Sequence, residues 1–281
     1  MAKILKKEVL VHSSPRIIKI RIEEPFVACK IKPGQFVILM VSSYSERIPL
    51  TVVDKDKKTI TLIFQEVGFT TKLLGRLKEG KSLYSLVGPL GNPAPIKKYG
   101  KVVAIGGGVG IGLIYPIIKA LKKEANFVVS ILGAKSKDYL ILKEEIEKNS
   151  DQLFITTDDG SEGEKGLVTD VLERVLKKEK FDLVYCVGPL LMMKKVSQIT
   201  SFYNLRTIAS LNPIMIDGTG LCGSCRILYD GKVKFACCDG PDFDAHLVDF
   251  DDLIRRNNRF QEEEKSLLYE KDSFRRKKKN I

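Results

Sequence analysis

The order of hydrophobic patterns predicts a β barrel followed by an α/β domain, with a small C-terminal segment of a third character. Three observations carry that prediction. Short β-rich runs separated by Gly, Pro and Asp-Lys turns occupy residues 7 to about 90, apolar strands alternate with amphipathic helices after Pro93-Ala94-Pro95, and a Gly/Cys-rich stretch begins at Ser210. At 281 residues and 44% hydrophobic content, the chain is long enough for two ordinary domains, each with its own core.

In the first region strands are expected at 8–12, 16–23, 36–41, 48–53, 59–64 and 82–86, with one helix at 70–77, which together suit a small antiparallel barrel. In the second, strands at 102–105, 127–132, 153–156 and 183–187 alternate with helices near 111–123, 138–148, 167–178 and 190–200. That alternation implies a parallel sheet with right-handed crossovers. In the third, residues 225–229 and 233–236 form an expected hairpin turning at Asp230-Gly231. The division is 1–97 barrel, 98–209 α/β domain, 210–250 Gly/Cys-rich segment and 251–281 charged helical tail.

The net charge of +12 comes from lysines scattered along the chain, and the one dense run, Arg275-Arg276-Lys277-Lys278-Lys279, reads as a solvated tail. Nucleic acid is therefore not the expected partner. There is no signal-like N-terminal apolar run and no stretch of about 18 apolar residues, so a soluble cytoplasmic protein without a membrane span is expected. Of six cysteines, Cys222, Cys225, Cys237 and Cys238 fall close together near the C-terminus, whereas Cys29 and Cys186 stand alone in apolar surroundings and read as core residues. Such clustering favours an iron-sulfur or zinc site over a disulfide framework.

Gly106, Gly107, Gly108, Val109 and Gly110 lie where a strand is expected to turn into a helix, an arrangement in which backbone N–H groups approach a pyrophosphate at the positive helix end. The spacing is not G-x-G-x-x-G: from Gly106 the sixth position is Ile111, and from Gly108 it is Leu113. Asp158-Asp159-Gly160 follows another strand end, where ligands of open α/β sheets collect. The lysines of Gly133-Ala134-Lys135-Ser136-Lys137-Asp138, after the second strand of this domain, would suit a 2′-phosphate.

The G-G-G-x-G run followed by Pro116, with Val187-Gly188-Pro189 and Leu191-Met192-Met193, resembles the nicotinamide-binding half of the ferredoxin-NADP reductase superfamily. Cys186 lies one residue before the position of that family's strand-end cysteine, on the opposite face of a strand, and receives no catalytic role. Upstream, Arg47-Ile48-Pro49-Leu50-Thr51 is similar to the family's flavin-binding R-x-Y-S/T strand, although the family arginine would fall on Ile48. Ile63-Phe64-Gln65, then Gly68, Thr70 and Thr71, resemble the second flavin strand and the loop that holds the flavin pyrophosphate. The resemblance covers roughly residues 5–250 and implies bound FAD, hydride exchange with NAD(H), and no catalytic side chain beyond the flavin itself.

Asp217-x4-Cys222-x2-Cys225-x11-Cys237 has the spacing of a plant-type 2Fe-2S loop in which a carboxylate replaces the first thiolate. A zinc ribbon competes, but adjacent Cys237 and Cys238 do not suit its second knuckle. In an extended segment only one of the two could point inward. With Ser210–Asn212, Phe235–Cys237 and Asp239–Phe243, the stretch resembles the small subunits of NADH-dependent ferredoxin:NADP oxidoreductases and the related dihydroorotate dehydrogenase electron-transfer subunits, which have Cys where this chain has Asp217. The resemblance implies Cys237 as the fourth ligand. It further implies a heterodimer with a larger subunit carrying FAD and 4Fe-4S clusters, ferredoxin as an indirect partner, and NAD rather than NADP.

Overall fold

The computed structural model describes residues 2–266, so the basic run at 275–279 and the end of the expected tail lie outside the described residues. The first half consists of β1 (Lys3–Val11), β2 (Ile17–Glu23), α1 (Pro25–Lys30), β3 (Phe36–Met40), β4 (Ile48–Lys55), β5 (Thr59–Gln65), α2 (Phe69–Arg76) and β6 (Ser85–Leu90). Its six strands pair antiparallel in the order β1-β2-β5-β4-β3-β6. The two edges meet: Lys3 bridges Ser82, and the Leu83 N–H donates to the Ala2 carbonyl at 2.9 Å. Closure removes the exposed edges that an open sheet would present. It also explains why the sixth strand starts at Ser85 rather than residue 82, since 81–83 are engaged in the seam. Alternating Ile18, Ile20 and Ile22 on β2 pack inward against Leu62 and Phe64 of β5 and Val37 and Leu39 of β3.

α1 was not anticipated. It opens with Pro25, whose fixed φ suits the first turn of a helix. Cys29 sits on it and is exposed, which corrects its reading as a core residue, since a six-residue surface helix buries only Val27 and Ala28.

The second half contains β7 (Lys101–Gly107), α3 (Gly110–Lys123), β8 (Phe127–Ala134), α4 (Lys143–Glu147), β9 (Gln152–Thr157), β10 (Glu164–Lys165), α5 (Val168–Lys178), β11 (Leu183–Val187), α6 (Leu190–Phe202) and β12 (Thr207–Ser210). After these come β13 (Arg226–Tyr229), β14 (Lys232–Phe235), α7 (Ala236–Asp239), β15 (Asp242–Asp244) and α8 (Phe250–Asn257). β10-β9-β8-β7-β11-β12-β15 form one sheet, parallel except for its last member, which runs antiparallel to β12. The expected helix at 138–148 is shorter, because Leu142 adopts φ +54° just before α4 begins.

The Gly/Cys-rich segment is therefore not a free-standing appendage. β15 completes the nucleotide-domain sheet, and Met215, Cys225, Ile227 and Cys237 share a core with Phe36 and Ile38 of the barrel. On the other face Ile17, Val53 and Ile63 of the barrel pack with Val102, Ala104, Ile111 and Ile114 of the α/β layer. The β13–β14 hairpin turns at Asp230 and Gly231, both with positive φ, as its sequence predicts. Among the described residues, no helix is long and apolar enough to cross a membrane.

Candidate active site and metal centre

A cavity of about 930 Å³ opens where the barrel, the ends of the parallel strands and the start of the Gly/Cys-rich segment converge. Such a volume lies at the upper end of the range that takes a drug-sized or cofactor-sized ligand. Pro49, Leu50 and Thr51 reach it from β4, and Ile63, Phe64 and Gln65 from β5. From the other side come Gly107 to Gly110, Asp158, Gly188 and Pro189. Residues predicted separately for a flavin and for a nicotinamide nucleotide thus border one space, as they must if a hydride is to pass between two rings.

The β7–α3 turn is built by tight packing. Gly108 takes φ +57° and its N–H donates to the Gly133 carbonyl at 2.8 Å. A Cβ on Gly110 would stand 2.4 Å from the Val187 carbonyl oxygen, and one on Gly107 would stand 2.4 Å from Met192 Sδ. Glycine here lets the start of α3 sit directly on the end of β11 and bring its backbone to the cavity. Gly106 lies behind this surface, against Ile111 and Ile114 of α3, and packs the turn rather than lining it.

Other predicted residues lie at the margin. Thr71 lines the cavity and its Oγ1 accepts from the Gly68 N–H at 2.9 Å, so the pair shapes the entry to α2. Thr70 is buried and donates to Glu46 Oε2 at 2.9 Å, which ties the loop carrying exposed Arg47 to the start of that helix. Asp159 is exposed and accepts from the Ser161 N–H and hydroxyl at 2.9 and 2.6 Å, which is the work of a local turn.

Lys135, just after β8 and one of the lysines read from sequence as suited to a 2′-phosphate, borders the cavity. The run Leu211, Asn212, Pro213 and Met215, which the sequence did not assign to this wall, borders it too. That run follows directly on β12, a four-residue strand too short to show a period, and the Leu211 N–H donates to the Pro241 carbonyl at 2.9 Å. Tyr185 lines the cavity as well, and its hydroxyl donates to Asp242 Oδ2 behind the wall.

The cysteine site differs in kind. Cys225 and Cys237 are buried, with sulfurs 3.2 Å apart, and Cys238 Sγ lies 3.6 Å from Cys237 Sγ. The segment at 237–238 is not extended: these residues form the short helix α7, so both sulfurs stay on neighbouring positions of one turn. Cys222 is exposed on its loop. Asp217 is tied to its own loop and lies beside the Cys222 side chain. Its Oδ1 accepts from the Thr219 N–H at 2.5 Å and its Oδ2 from the Cys222 N–H at 2.7 Å, bonds that hold its pKa below the usual carboxylate range, the Thr219 bond most strongly. Among the described residues no three metal-binding side chains converge as a preformed site.

The donor set nonetheless fits a cluster. Burial, reinforced by Cys225, pushes the Cys237 thiol up. An iron ion would displace its proton and favour the thiolate. Gly218, Gly220 and Gly223 all have positive φ, and a Cβ on Gly220 would come within 2.9 Å of Cys238 Sγ, so the loop is pressed against the cysteine helix.

Comparisons with known proteins agree with this division. Residues 212–249 match the iron-sulfur cluster binding domain of dihydroorotate dehydrogenase B, and residues 104–198 match the oxidoreductase NAD-binding domain. The chain is 45% identical to the dihydroorotate dehydrogenase B (NAD(+)) electron transfer subunit homolog of Thermotoga maritima, over 89% of each chain. It is 34% identical to the dihydroorotate dehydrogenase B (NAD(+)) electron transfer subunit of a Geobacillus strain, covering 77% of this chain and 86% of that one. A solved chain from the NADH-dependent reduced ferredoxin-NADP oxidoreductase superposes with a TM-score of 0.91 at 42% identity, over 96% of this chain and 97% of the other. With a barrel for FAD, a domain for NAD(H) and a segment for a 2Fe-2S cluster, the chain belongs to the dihydroorotate dehydrogenase B electron-transfer subunit family of flavin-dependent oxidoreductases.

Proposed function

We propose that this chain is the small subunit of an electron-bifurcating NADH-dependent ferredoxin:NADP oxidoreductase. It would act in the cytoplasm as a heterodimer with a larger subunit that carries FAD and 4Fe-4S clusters, and would meet ferredoxin only through that subunit. The observation that carries the reading is the shared cavity, which opens to the barrel, to the nucleotide turn and to the segment bearing the cysteines. A bound FAD exchanges electron pairs as hydride with NAD(H) and single electrons with an iron-sulfur cluster.

The residues divide that work. Pro49–Thr51 and Ile63–Gln65 form an apolar and backbone-rich wall suited to a flat ring, and Gly68, Thr70, Thr71 and Arg47 surround the start of α2, where a pyrophosphate would find N–H groups and positive charge. Gly107–Gly110 with Gly188 and Pro189 receive the nicotinamide nucleotide, Gly106 packing the turn behind them, and Asp158 stands at the strand end where a ribose is read. Asp217, Cys222, Cys225 and Cys237 would hold the 2Fe-2S cluster. For Asp217 the oxygen left to iron is Oδ2, which accepts one N–H from Cys222 and keeps a second lone pair, while Oδ1 stays bonded to Thr219.

A dihydroorotate dehydrogenase partner is the second reading, favoured by the names of several relatives. Asp217 favours the first, since the resemblance assigns Cys there to the dihydroorotate enzymes. Affinity purification of the chain from its native cell separates them. A partner rich in iron and flavin that reduces ferredoxin supports bifurcation, whereas a partner that oxidises dihydroorotate refutes it. Stopped-flow reduction of the bound flavin should be faster with NADH than with NADPH.

A further inference from the structure

Asp242 and Tyr185 are a buried polar pair placed where all three parts of the molecule meet. Tyr185 rises from β11 of the nucleotide domain and lines the cofactor cavity, and its hydroxyl donates to Asp242 Oδ2 on β15 of the cysteine-bearing segment. From the barrel, Gly34 approaches so closely that a Cβ there would lie 3.1 Å from the same oxygen. The other carboxyl oxygen, Oδ1, is out of contact with solvent and has no hydrogen-bond partner among the described residues. Leaving a carboxylate oxygen buried and unpaired is costly, and a fold that needed only a latch between strands could use an amide or an apolar pair.

The groups that face this carboxyl are Tyr185 from β11 and the Ser210 hydroxyl from β12; Cys186 on β11 is close enough to feel its charge, and Tyr99 of the interdomain linker stands beyond Tyr185. No cation is among them. Burial therefore pushes the Asp242 pKa up to about 6, against the smaller opposing effects of the Tyr185 hydrogen bond and the nearby Ser210 hydroxyl. A group poised there can change protonation in response to a nearby charge at physiological pH.

We infer that Asp242, acting through Tyr185, is a positioning residue that compensates the charge of the reduced flavin by taking up a proton. The inference rests on the proposed FAD site. Hydride transfer from NADH to FAD yields NAD⁺ and an anionic reduced flavin; in the same event one solvent proton passes to the Asp242 carboxylate, giving the neutral acid. No electron resides on the pair. Tyr185 keeps its proton, because burial and the neighbouring carboxylate hold its pKa well above the usual tyrosine range. Protonation of Asp242 removes the carboxylate acceptor that holds the Tyr185 hydroxyl.

The test uses the full-length flavin-loaded chain with Asp242→Asn and Tyr185→Phe. Infrared difference spectra between oxidised and reduced protein, with ¹³C-labelled aspartate, should show a protonated-carboxyl band on reduction at pH 7 in wild type and none in D242N. Indicator-dye measurements should show greater proton uptake per flavin reduced in wild type than in D242N, with the difference fading at pH 5, where the acid is protonated throughout. In Y185F the band should persist and appear at higher pH, because the hydrogen bond that favours the carboxylate is gone. Equal proton uptake in wild type and D242N, or a carboxyl band unaffected by D242N, overturns the inference. If D242N does not fold, an unshifted band in Y185F does so alone. A chain that folds but binds no flavin refutes the proposed FAD site instead, so the two failures are distinguishable.

Discussion

The cofactor cavity and the cysteine loop are built by different means, although they share one wall. The cavity is made of strand ends and backbone turns: Gly108 is fixed to Gly133 by a main-chain bond, Gly110 is wedged against Val187, and the barrel supplies whole strands. Its shape follows from sheet topology. The cysteine site is made of side chains on a glycine-rich loop and a four-residue helix, and here only Cys225, Cys237 and Cys238 are close while Asp217 is occupied by its own loop. One site is preorganised by the fold, and the other is completed by what it binds.

The largest expected effect separates the two regions outright. Cys225→Ala should abolish the cluster, since it removes a buried thiol 3.2 Å from Cys237, while flavin remains bound. Iron, labile sulfide and flavin assays on one preparation measure this, and simultaneous loss of flavin would show that the cavity depends on the cluster. The converse is Gly110→Val. The added atoms would meet the Val187 carbonyl, and overpacking of this kind costs about 1–3 kcal/mol, so the variant should lose nucleotide affinity and thermal stability while keeping its iron.

Asp242 adds a pH dependence to the wall between the regions. Its folded pKa of about 6 lies above the unfolded value, so the folded chain binds that proton more tightly. Stability from this group is greatest in acid, falls as pH rises from about 4 through 6, and is level above. Asp242→Asn should accordingly stabilise the flavin-free chain at pH 8, by roughly 2–3 kcal/mol at most from a shift of this size. Denaturant melts at pH 5 and pH 8 would detect the changed slope, and a variant less stable than wild type at both values would count against it.

The same contrast governs what was legible in the sequence. The barrel strands and the Gly106–Gly110 turn were readable because period-2 apolar runs and glycines at a strand end encode local structure directly. β12 and β15 were not, because four and three residues carry too little periodicity, and β15 exists only by pairing across the chain with Ser210 and its neighbours. Cysteine spacing marks the iron-sulfur region but leaves its local geometry open, since an extended and a helical Cys237-Cys238 have the same sequence. Tyr185 and Asp242, 57 positions apart, carried no signal that would have joined them.

The smallest effects concern the loop. Asp217→Ala removes acceptors for the Thr219 and Cys222 N–H groups at a cost of about 1–3 kcal/mol to local order, and should weaken the cluster and change its reduced paramagnetic-resonance signal without removing flavin. Cys238→Ser should leave cluster and flavin in place. Retention of the cluster in Cys237→Ala with its loss in Cys238→Ser would exchange the roles of that pair, whose sulfurs are only 3.6 Å apart.

The central claim is that one chain holds a flavin and a 2Fe-2S cluster around a common wall, and its most direct test is the visible spectrum and metal content of the full-length protein purified without air. The account predicts a yellow-brown protein with about one FAD, two irons and two labile sulfides per chain, bleached by NADH, as the chemistry of these cofactors requires. A colourless, well-folded protein that contains zinc and takes up no flavin would contradict it.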